Sequence, residues 1–91
     1  MKARTRFIYD KNKALVQFTS WDKKECYDLA NSYLTAVETR CDFPNLGCEM
    51  EMHRNEIGVA VLMVAIRTEG VMHFAKLKRI FNDWKKEIRE N

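Results

Sequence analysis

The segment GVAVLMVAIR, residues 58 to 67, places eight apolar residues in succession, from Val59 to Ile66. A β-strand sends alternate side chains to opposite faces of its sheet, so a strand that is apolar in both phases asks for cover on both sides. The run is far too short to span a bilayer as a helix. Only 91 residues are present to supply the cover, and a domain of this size buries only about 60 to 65% of the surface its unfolded chain exposes. Whatever lies over the second face of this strand therefore bears on what the protein does.

The flanking segments define the sheet and its helices. TRFIYDKNKALVQFTS, residues 5 to 20, has two runs rich in aromatic and aliphatic residues parted by a polar DKNK, the pattern of a β-hairpin. In its second arm Ala14, Val16 and Phe18 alternate with Leu15, Gln17 and Thr19, giving one strongly apolar and one mixed face. In the first arm Phe7 and Tyr9 share a side and Ile8 takes the other. A helix follows, with Thr19 or Ser20 as N-cap, Asp22 in capping-box spacing and Trp21 stapling the start. Its stripe is Cys26, Leu29, Ala30, Tyr33, Val37 and Cys41, at steps of three and four. DFPNLG, residues 42 to 47, ends the helix. Cys48, Met50 and Met52 then alternate with Glu49, Glu51 and His53 in a strand, which turns at RNEIG into the apolar strand to make a second hairpin. Phe74, Leu77, Phe81, Trp84 and Ile88 mark a closing helix.

The order ββαββα predicts one compact α+β domain over residues 1–91, a four-stranded antiparallel sheet with two helices packed on one face. The duplication is architectural, since no motif recurs between the halves. Either Val59, Val61, Met63 and Ala65, or Ala60, Leu62, Val64 and Ile66, then point away from the helices. Joined by Leu15 or Ile8, four such side chains form a patch of roughly several hundred Å², the size that marks an interaction site. The expected cover is another molecule, most simply a second copy related by a twofold axis. The competing expectation is a central strand shielded by its flanks. The interface candidates are Leu62, Met63, Val64, Val61 and Leu15, with Phe43 and Leu46, which more commonly pack under such a loop, forming when exposed an apolar anchor rimmed by Asp42 and Glu38.

The net charge of +3 is unevenly spread: residues 1–24 carry +5, residues 25–57 carry −5 and residues 58–91 carry +3. A bipolar chain suits a chosen protein partner better than an indiscriminate polyanion. The alternative is a nucleic-acid-binding module, in which Lys78, Lys85 and Arg89, with Arg79 and Lys86 beside them and Lys2, Arg4 and Arg6 at the N-terminus, follow a phosphate backbone. Asp83 and Glu87 interleave with that helix and describe equally well an ordinary solvated face.

A third reading is a metal-dependent enzyme. Glu49, Glu51 and His53 share one side of a strand with neighbours about 7 Å apart, and two carboxylates with an imidazole can bind a divalent metal or exchange protons. A solvated strand face explains the same pattern, and no second cluster joins it. Cys41, Cys48 and His53 have gaps that match no zinc signature and must borrow Cys26 or His73 as a fourth ligand; Cys26 and Cys48 read better as small core hydrophobes. Ser20 and Ser32 sit in a cap and a helix, and Gly47, Gly58 and Gly70 build no phosphate cradle. No cofactor and no metal is expected.

Three cysteines without framework spacing and no signal-peptide pattern predict a reducing, cytoplasmic setting away from membranes. The function expected is therefore binding without catalysis: a small inhibitor, adaptor or regulatory subunit that occludes a larger protein, of the kind common among phage and mobile-element accessory proteins, and itself a homodimer through the open sheet face.

Overall fold

A computed structural model describes residues 3–90. The elements are β1 (Arg4–Asp10), β2 (Lys13–Ser20), α1 (Lys23–Arg40), β3 (Cys48–Arg54), β4 (Ala60–Arg67) and α2 (Val71–Glu90). The four strands form one antiparallel sheet in the order β1-β2-β4-β3. This is the expected α+β arrangement, and it places the apolar strand at the centre, where β4 joins the two hairpins by pairing with β2.

Cross-strand register fixes the faces. Ala14 lies opposite Ile66, Val16 opposite Val64, Phe18 opposite Leu62 and Ser20 opposite Ala60. All eight are buried. With period two, the other phase of each strand must then look away from this core. Both helices close over the buried phase, and each presents a stripe at helical spacing: Cys26, Ala30, Tyr33 and Ala36 from α1, and Leu77, Ile80, Phe81 and Trp84 from α2. Phe7 joins them from β1 with its ring 5.2 Å from Phe74 and 5.3 Å from Phe81. The Tyr33 hydroxyl donates to the Leu77 carbonyl at 3.0 Å and the Trp84 indole N–H to Ser32 Oγ at 2.9 Å, so the helices are tied by polar contacts as well as by aromatic packing.

Several expected details are corrected. Asp22, not Thr19 or Ser20, caps α1, its carboxylate accepting from the Lys24 N–H at 3.0 Å. Ser20 is the last residue of β2, and its buried hydroxyl instead donates to Glu25 and accepts from the Asp22 N–H. Trp21 does not pack as a staple; it is half exposed. Ile88 leaves the inward stripe, because α2 there runs past the core and Ile88 rims an open depression beside the start of β1.

Cover is also uneven. α1 packs over β2 and β4, α2 over β1 and β2, and neither helix packs over β3. Two helices are narrower than four strands, so one edge strand overhangs. Cys48 is therefore exposed rather than a core hydrophobe, and Met50, on the helix side of β3, keeps 41% of its surface in solvent.

Candidate interaction surface

The helix-free side of the sheet is assembled from the second phase of every strand. Its centre is Leu15, Gln17 and Thr19 of β2 beside Val61, Met63 and Ala65 of β4, all half-buried even with nothing over them. Ile8 of β1 extends this strip, and the remaining open-face residues of β1, Arg4, Arg6 and Asp10, are exposed. On the opposite edge β3 contributes Glu49, Glu51 and His53, also exposed. The register arranges them in lines across the sheet: Arg6, Gln17, Met63 and Glu51 in one, Ile8, Leu15, Ala65 and Glu49 in the next, and Arg4, Thr19, Val61 and His53 in a third. A fourth line, Asp10, Lys13 and Arg67, closes one end of the face, so the surface has arginines along the β1 edge, an apolar strip at the centre that ends in the cations Lys13 and Arg67, and glutamates along the β3 edge.

Of the expected interface residues, Leu15, Val61 and Met63 occur together on this face. Leu62 and Val64 do not. Both are fully buried under the helices, since they share the phase of Phe18 and Val16, and they belong to the core. Phe43 and Leu46 part company as well. The Phe43 ring stacks on His73 with centroids 4.9 Å apart and planes 5° from parallel, which commits it to the interior of the loop. Leu46 is 42% exposed. His73 is itself buried, its Nδ1 accepting from the Glu69 N–H at 3.0 Å. Together with Leu34, Val37, Cys41 and Cys48 these rings line a hollow of about 270 Å³ beneath the 42–47 loop, slightly under the size usual for small-molecule sites.

The candidate chemical groups are placed less favourably. Glu51 Oε1 meets His53 Nε2 at 3.2 Å on the exposed face of β3, and among the described residues no three His, Cys, Asp or Glu side chains come together as a metal site. Cys48 and His53 stand five residues apart on one strand, about 17 Å, and on opposite faces of it. Cys26 is fully buried with its thiol 3.6 Å from the Ala60 carbonyl; burial, with the Glu25 carboxylate next in effect, pushes that thiol up from its ordinary value. Partial desolvation beside Glu49 pushes Cys48 up too. Neither is poised as a thiolate nucleophile.

The basic residues divide between surfaces. Lys78, Arg79, Lys86 and Arg89 are exposed on α2, and Lys85 lies 5.8 Å over the Phe81 ring. Lys85 and Arg89 line one shallow depression and Arg6 lies with Gln17 and Thr19 along the sheet face, while Arg4 at the strand end borders both. Glu87 is engaged by Arg40 of α1 at 2.7 Å, and that guanidinium holds its carboxyl below the usual range. Lys2 lies outside the described residues.

What sequence reading missed is the polarity across the sheet. Each strand's charge is legible by itself, but only the strand order sets Arg4 and Arg6 at one edge and Glu49 and Glu51 at the other. No helix among the described residues is long and apolar enough to cross a membrane. Compared with protein-family models, curated proteins and solved structures, the chain finds no match in any of the three.

Proposed function

We propose that this chain is a small protein-binding module without catalytic activity, an inhibitor, adaptor or regulatory subunit that covers part of a larger protein. The observation that carries this reading is the helix-free sheet face, where Leu15, Val61, Met63 and Ala65 form a half-buried apolar strip between charged edges. Apolar centres with polar rims are the anatomy of protein interfaces. The same face suits nucleic acid poorly, because Glu49 and Glu51 repel phosphates. Three unpaired thiols support a reducing, cytoplasmic setting.

The test compares immobilised wild-type chain with its folded Met63→Lys variant in an extract of the cells that make it. The expected result is one larger protein retained in stoichiometric amount by the wild type and lost by the variant. Identical proteins retained by both refute the reading, because a charge at the centre of the strip must disturb whatever docks there.

A further inference from the structure

We propose that the hollow beneath the 42–47 loop is a binding site for a small, uncharged, apolar molecule carrying one hydrogen-bond acceptor, which is met by the Nε2–H of His73. The site lies on the helix side of the sheet and is separate from the open face.

The hollow exists because helix cover runs short. Neither helix packs over β3, so the corner between the end of α1, the start of β3 and the start of α2 is roofed by loop alone. That loop is held at both ends. The Cys41 N–H donates to the Val37 carbonyl at 2.9 Å, the Gly47 N–H to Asn45 Oδ1 at 3.0 Å, and the Arg67 N–H to the Gly47 carbonyl at 3.1 Å. The space is therefore pre-formed, and a ligand is spared the cost of ordering it. Leu34 and Val37 of α1 and Ile66 of β4 give it apolar walls, and the stacked rings of Phe43 and His73 add a flat one. An apolar cavity of about 150 Å³ takes benzene, so the 270 Å³ here suits a single ring with a short polar arm.

One polar group is left over inside. His73 keeps only 3% of its surface exposed. Its Nδ1 accepts from the Glu69 N–H, so the neutral ring holds its proton on Nε2. Among the described residues Nε2 has no hydrogen-bond partner, yet it is not sealed in the interior, and the opening that His73 borders is the hollow. A molecule that displaces solvent from this N–H must bring an acceptor, because a buried donor left without one weakens binding. Leucine, isoleucine, valine and phenylalanine carry no acceptor, so an apolar side chain of a docking protein leaves the N–H unanswered. Charge is disfavoured in either sign: Glu38, exposed at the rim, repels an anion, and a cation brings donors where a donor already points. Arg67 reaches the lining at the end of β4, but its N–H is spent on Gly47 and its side chain has the phase of the open sheet face. The Cys41 and Cys48 thiols are weak donors only.

The experiment titrates ¹⁵N-labelled protein with acetophenone, cumene and benzoate, three molecules of one size that differ in the group beside the ring, and follows the imidazole nitrogens by two-bond ¹H–¹⁵N correlation. His53, exposed on the open sheet face, is the internal reference. Acetophenone is expected to saturate with a Kd below roughly 1 mM. It should also place the His73 Nε2 resonance downfield of its position with cumene, whose ring shields alike but offers no acceptor, while His53 stays where it was. Benzoate is expected to bind at least ~10-fold more weakly than acetophenone. His73→Phe keeps a ring against Phe43 and removes the donor, so the affinity for acetophenone relative to cumene should fall ~10-fold; if that variant does not fold, the wild-type spectra decide alone. Failure of acetophenone to saturate, equal Nε2 positions with acetophenone and cumene, or tighter binding of benzoate overturns the proposal. Protein binding at the open sheet face is read separately with Met63→Lys, and none of these outcomes touches it.

Discussion

Leu62 and Met63 are neighbours in sequence and opposites in the fold, and lysine at each position makes the sharpest test of the architecture. Leu62 is fully buried on the helix side of β4, beneath α1 and opposite Phe18 on β2. Lysine there forfeits the leucine packing, about 2 to 5 kcal/mol, and forces an ammonium into an apolar layer with no carboxylate on that face, several kcal/mol more. A chain of 91 residues has roughly 5 to 14 kcal/mol of stability in total. Leu62→Lys should therefore leave the protein unfolded or close to it. Met63 is half-exposed between Gln17 and Glu51. Its lysine can lay the stem along the strip, put the ammonium in water and approach the Glu51 carboxylate, so the change should stay within about 1 kcal/mol. Far-UV circular dichroism and a urea titration read by the fluorescence of buried Trp84, run at dilutions where the monomer dominates, separate the two outcomes. If both variants unfold, β4 is core on both sides and the open face does not exist; if Leu62→Lys folds normally, the register of β4 is wrong.

Other outcomes follow from the packing. Tyr33→Phe removes the hydrogen bond to the Leu77 carbonyl while keeping the ring against Phe81 and Trp84, and should cost about 1 kcal/mol in urea unfolding. Burial raises the Tyr33 hydroxyl above its ordinary value of 10.0, so the unfolded chain ionises first: its contribution is complete below about pH 10 and fades as pH rises further, an alkaline loss that Tyr33→Phe should lessen. Asp22→Ala removes the α1 cap and should lower stability by about 1 kcal/mol, whereas the same change at Thr19, which caps nothing, should cost less. In thiol labelling of the native protein, Cys26 should react only as the structure opens, while Cys48 reacts directly from the folded state.

The element order was legible because periodicity is a local property. Alternation in Ala14 to Thr19 and the three-and-four spacing of Leu77, Phe81 and Trp84 are consequences of backbone geometry alone, and each element appears where its pattern lies. The α1 cap was misplaced because Ser20 and Asp22 are both good caps by residue type. What separates them is that β2 runs on through Ser20, and that depends on pairing with Ala60.

By itself the sequence determined a ββαββα chain with two hairpins, two amphipathic helices and one strand apolar in both phases, because hydrophobic period specifies which side chains share a face. It could not say which phase of Val59 to Ile66 the helices cover, since both phases are apolar and a shift of one residue exchanges them. Tertiary pairing with β2 decided that, burying Leu62 and Val64 and turning Val61, Met63 and Ala65 outward. It also set the order β1-β2-β4-β3, which places the arginines of β1 and the glutamates of β3 at opposite edges of one face. Charge along a chain is written in the sequence; charge across a sheet depends on which strands become neighbours, and that is settled only when distant segments pack.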